Sequence, residues 1–344
     1  MRPVDALSEI AFRLERELAP SFKVKAFRRA ATLLAGYGDD ELAARVADGR
    51  LKRTKGIGDT TYTVVSQASA GRVPDYLQKL RDRAEPDARD GSDLRRALRG
   101  DLHSHSEWSD GTTPIEAMLD AARLVGLEYL ALTDHSPNLR VANGLSAERL
   151  TEQLELVEQL RSREDARPRG EGVRLLSGIE VDILESGELD QEPALLDRLD
   201  VVVASVHSKL RADSTTMTKR MLAAVEHPRT RVLGHCTGRL VTGSRGTRPP
   251  SDFDAARVFA ACAANGVAVE INSRPERQDP PEDLIALALE AGCLFSIDSD
   301  AHAPGHLGFL GLGADRAEAC GVPADRIVTT WPLERLESWL ADPR

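Results

Sequence analysis

The chain has 344 residues, of which 41% are hydrophobic and 29% charged, and this composition excludes a largely disordered or fibrous protein. The formal net charge of -10 argues at first sight against a polyanionic partner. The charge is uneven, however. Residues 1–99 carry 20 Lys and Arg against 15 Asp and Glu, whereas residues 100–344 carry 25 against 40. All eight histidines lie between His103 and His306, so a basic segment without histidine precedes an acidic one.

The amino-terminal residues and the cysteines predict a cytoplasmic protein. Residues 1–20 have the apolar spacing of an amphipathic helix rather than the core of a signal peptide. No segment approaches the roughly 20 apolar residues of a membrane span, so we expect no membrane partner. The four cysteines are widely spaced, which argues against a disulfide framework or a zinc ribbon.

Residues 1–80 predict a small all-α domain. Apolar residues recur at helical spacing, and Pro and Gly separate the segments. The predicted helices cover residues 1–20, 22–34, 39–47, 59–70 and a short segment after Pro74. Residues 81–100 mix both charges with Pro and Gly and are predicted to be a linker. At about 150 residues per domain, the remaining 101–344 form one large second domain.

The second domain alternates strand-like apolar runs with helical segments. This alternation is typical of parallel strands joined by crossover helices. The predicted strands lie at 129–132, 173–179, 201–206, 232–233, 267–271, 294–297 and 326–328, and the predicted helices lie near 114–125, 146–163, 215–226, 252–265 and 281–291. About seven units in some 245 residues fit a closed α/β barrel better than an open sheet.

Polar residues follow almost every one of these apolar runs. Because the carboxyl ends of parallel strands meet on one face, these side chains are predicted to converge. They are His103, His105, Asp110, Asp134, His135, Glu180, His207, His235, Asp298, Asp300 and His302. Imidazoles and carboxylates together suit zinc, manganese or iron. His227, at a helix end, and His306, in a Gly/Pro loop, are expected to be ordinary histidines.

The motifs at these positions resemble those of the PHP (polymerase and histidinol phosphatase) superfamily. They are Asp101 to Gly111 (DLHSHSEWSDG), Leu132 to Ser136 (LTDHS), Gly178-Ile179-Glu180, Ser205 to Ser208 (SVHS), Gly234-His235 and Ser299 to His302 (SDAH). The resemblance covers residues 100 to about 340 and is closest to the carboxyl-terminal PHP domain of bacterial family X DNA polymerases. It implies a distorted (β/α)7 barrel with three divalent metal ions.

The resemblance also implies a set of ligands for each ion. The first ion would be held by His103, His105, Glu180 and Asp300. The second would share Glu180 and add His207 and His235. The third would be held by Asp110, His135 and His302. Asp110 stands where the family sometimes has His, and all nine positions carry residues able to bind a metal.

Such a centre predicts hydrolysis of a phosphate ester by a metal-activated hydroxide. Glu180, His207 and Asp300 are the expected catalytic residues of the centre. Lys209 and Arg239 are candidate donors to phosphoryl oxygens, as is Arg274, although each can also be an ordinary surface charge. Asp134 and Asp298 are candidates for orienting ligand histidines, or else they are simple hydrogen-bond partners at strand ends.

The first domain contains a candidate helix-hairpin-helix for binding DNA. Gly56, Ile57 and Gly58 allow a tight turn before a helix amino terminus, which can cradle a phosphate. Lys52, Arg53 and Lys55 would add positive charge, although a simple packing turn explains the glycines equally well. Residues 5–80 resemble the amino-terminal helical domain of family X DNA polymerases. The polymerase palm is absent, so no polymerisation of nucleoside triphosphates is expected.

The sequence therefore predicts a metal-dependent phosphoesterase that acts on DNA ends in repair. A 3′-5′ exonuclease, a 3′-phosphatase and an abasic-site endonuclease all fit that prediction. One alternative is a small-molecule phosphatase of the histidinol-phosphate type, which would need no basic domain. A second alternative is a DNA-binding scaffold whose metals are structural. The oligomeric state is left open.

Overall fold

The computed structural model describes residues 1–84, 91–168, 170–243 and 246–342. The chain forms two compact units, Met1–Pro86 and Asp87–Arg344. Residues 85–90 of the predicted linker lie outside the described residues. None of the helices in the described part is both long and apolar enough to cross a membrane.

The first unit is all-α and its core is aliphatic. Its helices are α1 (Pro3–Arg16), α2 (Ser21–Ala35), α3 (Asp39–Ala47), α4 (Asp59–Ser69) and α5 (Asp75–Asp82), with a 3-10 turn at Leu51–Arg53. Leu7, Ile10, Leu34, Leu51 and Val65 are fully buried in one cluster. The helical spacing of these apolar residues thus produces a single shared core.

The second unit is a barrel of seven parallel strands in sequence order. They are β1 (Gly100–Asp101), β2 (Tyr129–Leu132), β3 (Arg174–Asp182), β4 (Val201–Ser205), β5 (Val232–Leu233), β6 (Ala268–Asn272) and β7 (Leu294–Asp298). The nine residues of β3 pair with β2 over their first part and with β4 from Gly178 onward. A Cβ at Gly178 would lie 2.9 Å from the carbonyl oxygen of Val201, so the close approach there requires glycine.

The barrel closes between β7 and β1. Beyond the strands, Ser104 and Ala301 form a parallel bridge, and the His105 amide donates to the Ala301 carbonyl at 2.8 Å. The Leu102 amide donates to Asp298 Oδ1 at 2.8 Å. Asp298 therefore helps to close the barrel through a backbone amide, and among the described residues it makes no hydrogen bond to a ligand histidine.

Helices surround the barrel. They are α6 (Asp93–Ala97), α7 (Ile115–Leu124), α8 (Ala147–Asp165), α9 (Pro193–Leu196), α10 (Ser214–Val225), α11 (Ala255–Ala264), α12 (Glu282–Glu290), α13 (Leu310–Ala319) and α14 (Leu333–Ala341). At the amino ends of the strands, the side chains that point into the barrel are apolar. There Tyr129, Val201 and Val232 pack with Trp331 and the α14 residue Leu340. This packing closes one end of the barrel and leaves the carboxyl ends for polar groups.

Two parts of the sequence prediction differ from the structure. Residues 326–328 are not a strand, because Arg326 and Val328 belong to separate 3-10 helices and Ile327 between them forms a single bridge, to Phe295. The two-residue strand β1 takes the seventh place instead. Within the segment predicted as linker, Asp93–Ala97 form α6, whose buried Leu94 and Arg95–Asp315 ion pair join it to the second unit.

Candidate metal centre

The nine side chains predicted as ligands meet at the carboxyl ends of the strands. Their nitrogen and oxygen atoms form four overlapping groups in which all atoms lie within 4.8 Å of one another. The groups are His105, Asp110, His135 and His302; His103, His105 and Asp300; His103, Glu180 and His235; and His135, Glu180 and His207. In the described part of the chain, no other residue joins a group of this kind.

Glu180 lies at the middle of the cluster. Its Oε1 is 2.8 Å from His235 Nε2 and 3.3 Å from His207 Nε2. Its Oε2 is 2.8 Å from His135 Nδ1 and 3.4 Å from His103 Nε2. A fifth imidazole, that of His105, places Nε2 3.7 Å from Oε2. One carboxylate therefore faces five histidines, which is the position that a bridging ligand would occupy.

The cluster has the properties of a metal site rather than of a hydrogen-bonded polar core. His103, His105, Glu180 and His235 are almost completely buried. His103 Nε2, both ring nitrogens of His105 and Glu180 Oε2 are buried without a hydrogen-bond partner. Buried polar atoms are normally satisfied, and leaving them unpaired is costly. Divalent cations would supply the missing partners, so the residues fit a metal centre.

Burial and mutual charge perturb the titration of these groups. Burial opposes ionisation of Glu180, but His103, His207 and His135 together hold its pKa well below the usual value. Burial and the neighbouring His302 and His135 lower the pKa of His105 to about 3. The pKa of His135 rises to about 10 despite burial, because Glu180 and Asp110 lie next to it. Burial raises the pKa of Asp101 to about 6.

Neighbouring residues support several of the nine, and of the two roles left open for Asp134 the structure favours the hydrogen-bond partner at a strand end. Asp134 accepts hydrogen bonds from Ser106, Ser109 and Gln153 rather than from a histidine. The histidine partners are instead Glu270, whose Oε1 is 2.6 Å from His103 Nδ1, and Asp182, whose Oδ1 is 3.6 Å from His207 Nδ1. The signal for Glu270 was available, because it is a charged residue inside the apolar run 267–271.

The predicted phosphate donors occupy different places. Arg274 lies beside the cluster, with Nη1 2.9 Å from His302 Nδ1. Arg277, which the sequence did not single out, places Nε 3.0 Å from Asp300 Oδ2. Arg239 donates from Nε to the carbonyl oxygens of Arg277 and Gln278, at 3.2 and 2.9 Å, so it supports the loop that carries Arg277. Lys209 is exposed on the loop after β4.

His306 and His227 lie outside the cluster. His306 stacks on Phe309, with ring centroids 5.1 Å apart, and its Nδ1 accepts from the His302 amide at 3.2 Å. His227 Nδ1 accepts from the Arg229 amide at 3.2 Å. His306 therefore supports the backbone beside His302, whereas His227 is at a helix end as expected.

The hairpin candidate forms a turn between the 3-10 helix and α4. Gly56 has φ of 99°, the left-handed region that favours glycine, and Ile57 is buried. Thr61 Oγ1 accepts from the Gly58 amide at 2.9 Å, which uses one of the amides that a phosphate would need. Lys52, Arg53 and Lys55 are exposed, and Lys52 Nζ is 3.6 Å from Asp59 Oδ1.

The fold and the cluster place the chain among α/β barrel proteins that bury a group of side chains suited to metal ions. Residues 101–274, half of the chain, match the family model described as the PHP domain. The chain belongs to the PHP domain family. Family and cluster together make it a metal-dependent phosphoesterase.

Relatives differ in size and in name. The DNA polymerase/3′-5′ exonuclease PolX of Bacillus subtilis is 33% identical over 71% of this chain, and this chain covers 41% of that protein's length. A probable phosphatase of Syntrophotalea carbinolica is 29% identical over 66% of this chain and 90% of its own. The solved histidinol phosphate phosphatase of Lactococcus lactis is 17% identical, covers 65% of this chain and 92% of its own, and has a TM-score of 0.45.

Proposed function

We propose that the nine residues hold three divalent metal ions and that the centre hydrolyses phosphate esters at DNA ends. The observation that carries the metal assignment is the position of Glu180, one buried carboxylate facing five imidazoles. His103, His105, Glu180 and Asp300 would hold the first ion. His207 and His235, with Glu180, would hold the second, and Asp110, His135 and His302 would hold the third.

The bound ions would supply Lewis acidity, which activates water and neutralises phosphoryl charge. The chain's own residues would prepare the site for them. Glu180 stays ionised, since its pKa is well below the usual value, and so keeps both oxygens available. Asp110 is the most exposed of the nine side chains, so the residues that would hold the third ion lie at the entrance to the cluster. Arg274, beside His302, would donate to phosphoryl oxygens there.

The preference for DNA ends rests on the first unit and on the polymerase relative. The first unit has more Lys and Arg than Asp and Glu, and it presents Lys52, Arg53 and Lys55 beside the Gly56 turn. Basic side chains next to a helix amino terminus suit a nucleic-acid backbone. The match to a protein named as a 3′-5′ exonuclease, over 71% of this chain, supports the same substrate class. A 3′-5′ exonuclease, a 3′-phosphatase and an abasic-site endonuclease all fit this centre.

A second candidate is hydrolysis of a small phosphate monoester. It is favoured by the probable phosphatase of Syntrophotalea carbinolica, which the match covers over 90% of its length. In that case the first unit would be irrelevant to turnover. The two candidates therefore differ in whether the first unit affects catalysis.

A substrate panel on the full chain, combined with metal analysis, tests both candidates. The substrates are p-nitrophenyl phosphate, histidinol phosphate and oligonucleotide duplexes that end in a 3′-hydroxyl or a 3′-phosphate, each assayed with Zn²⁺, Mn²⁺ or Fe²⁺. We expect bound metal, and kcat/KM at least about tenfold higher on an oligonucleotide end than on histidinol phosphate. A preference for histidinol phosphate would reverse the substrate assignment. A protein that binds none of these metals would reject the centre itself.

A further inference from the structure

Strand β6 is the strand of the barrel that contributes none of the nine proposed ligands, yet its carboxyl end touches three of them. Glu270 and Asn272 lie on β6, and Arg277 lies on the loop that follows. We propose that this segment positions the ligands of the first and second metal ions, with Glu270 as its principal positioning residue. The inference rests on the proposed function, because it assumes the ligand set given there.

Glu270 joins the end of β1 to the end of β5. Its side chain is fully buried. Oε1 lies 2.6 Å from His103 Nδ1, and Oε2 accepts from the His235 backbone amide at 2.5 Å. When His103 donates from Nδ1 to this carboxylate, its other nitrogen, Nε2, carries a lone pair and faces Glu180 Oε2 at 3.4 Å. Glu270 thus fixes the tautomer and the ring orientation that a metal ligand requires.

The same segment fixes Asp300. Arg277 Nε and Asn272 Nδ2 both lie at hydrogen-bond distance from Asp300 Oδ2, at 3.0 and 3.2 Å. The other oxygen, Oδ1, is left facing His105 Nε2 at 3.5 Å and His302 Nδ1 at 3.4 Å. Asp300 also has φ of 49°, in the left-handed region that few non-glycine residues adopt. Neighbouring contacts must therefore hold it there, and Arg277 and Asn272 provide two of them.

The contacts are selective within the centre. In the described residues, neither Glu270 nor Arg277 makes a hydrogen bond or ion pair with Asp110, His135 or His302, which would hold the third ion. A residue that merely stabilises the fold would affect all three ions together. Glu270 and Arg277, as positioning residues, would affect the first two and spare the third.

The test uses Glu270→Gln in the full chain. An amide of the same size has one oxygen for three facing donors, the His103 ring, the His235 amide and Asn272 Nδ2. Either a contact to that oxygen is lost, or the His103 ring accepts from the new NH2 group and takes the tautomer that protonates Nε2. We measure the number and affinity of bound Zn²⁺ by dialysis against buffered metal, and the electronic absorption of the Co²⁺-substituted protein. We expect wild type to bind three ions. We expect the variant to bind two of them about 10- to 100-fold more weakly and the third unchanged.

Matched controls separate positioning from stability. Glu164→Gln changes another buried glutamate, one that accepts from Arg123, Arg167 and the Val173 amide away from the centre. It should bind three ions as wild type does. Arg277→Lys keeps the charge but loses the planar guanidinium beside Asp300, and it should weaken the first ion alone. Its control is Arg161→Lys, which alters an equally buried arginine paired with Asp200 at 2.6 Å.

Each outcome is decisive. Wild-type protein without bound metal would reject the proposed function before this inference is tested. Wild type with three ions and a Glu270→Gln variant with unchanged affinity for all three would overturn the inference alone. Equal weakening of all three ions, together with a lower melting temperature, would make Glu270 a structural residue and would also overturn it.

Discussion

The two units of the chain bury opposite kinds of side chain. In the first unit, Glu15 and Thr61 are the only buried polar or charged side chains among the residues whose burial the structure describes. In the barrel, the carboxyl ends of the strands bury most of the proposed ligands together with Asp101, Asp134, Glu270 and Asp298. Burying charge costs free energy unless partners offset it. The comparison shows that the first unit is organised for stability, whereas the barrel maintains an unfavourable cluster that bound cations would stabilise.

Of the substitutions considered, replacing Glu180 should reduce metal binding and hydrolysis in the barrel the most. Glu180→Gln removes the charge that five histidines face, so the first and second ions should lose affinity together. We expect kcat/KM for p-nitrophenyl phosphate to fall by at least about 1,000-fold, equivalent to about 4 kcal/mol. Steady-state kinetics and metal content check it, with Glu164→Gln as the control. A fully active Glu180→Gln protein would remove the basis for a bridging carboxylate.

A cavity in the first unit should leave the barrel's chemistry untouched. Leu7 is fully buried in the aliphatic core, so Leu7→Ala should lower the free energy of unfolding of that unit by about 2–5 kcal/mol. Hydrolysis of p-nitrophenyl phosphate should not change below the new melting temperature. Calorimetry and kinetics measure the two effects, and Val73→Ala, at an exposed site, is the control. A parallel loss of hydrolysis would show that the units depend on each other.

Charge reversal in the hairpin should separate the two substrate classes. Replacing Lys52, Arg53 and Lys55 together by Glu removes the positive charge beside the Gly56 turn. We expect kcat/KM on DNA ends to fall roughly 10- to 30-fold and to become less sensitive to salt, with p-nitrophenyl phosphate unaffected.

The control for the hairpin variant replaces three other exposed basic residues of the same unit by Glu: Lys25, Arg72 and Lys79. It carries the same net charge as the hairpin variant. Equal losses in both variants would show that only net charge matters. Unchanged activity on DNA ends in both would favour the small-molecule phosphatase.

The smallest expected effect concerns the ion pair between Glu9 of α1 and Arg81 of α5. Burial opposes ionisation of Glu9, but hydrogen bonds from Arg81 and Arg13 outweigh it and lower the Glu9 pKa. A lowered folded-state pKa stabilises the protein above the unfolded value of about 4.3, and that contribution disappears as the pH falls through the folded value.

For this reason Glu9→Gln should destabilise the first unit at pH 7 by up to about 1 kcal/mol, because the pair is partly exposed and screened. Urea unfolding at pH 7 and at about pH 3 measures this effect. The difference in the free energy of unfolding between wild type and variant should be smaller at the lower pH. A difference that grows towards pH 3 would contradict the assignment. Arg45 and Glu41, an exposed pair on α3, provide the comparison through Glu41→Gln.

Local sequence patterns predicted the strands with long apolar runs correctly and failed at the shortest strand-like segments. Val201–Ser205 is an apolar run of strand length, and Ala268–Asn272 is apolar except for Glu270 and the terminal Asn272, so their place in the barrel follows from composition. Gly100–Asp101 has two residues and no periodicity, and only its pairing with β2 makes it a strand. Ile327 looks equally strand-like in the sequence, but a single bridge to Phe295 leaves its neighbours in 3-10 turns.

The sequence by itself determined which residues could form the centre. Histidines and carboxylates at successive strand ends were readable because chain order and parallel topology bring strand ends to one face. Tertiary structure decided which residues support them. Glu270 faces His103 across the barrel, and Arg277 reaches Asp300 from a loop, although more than 20 residues separate each pair in sequence. Such contacts depend on barrel closure and side-chain direction, which no local pattern encodes.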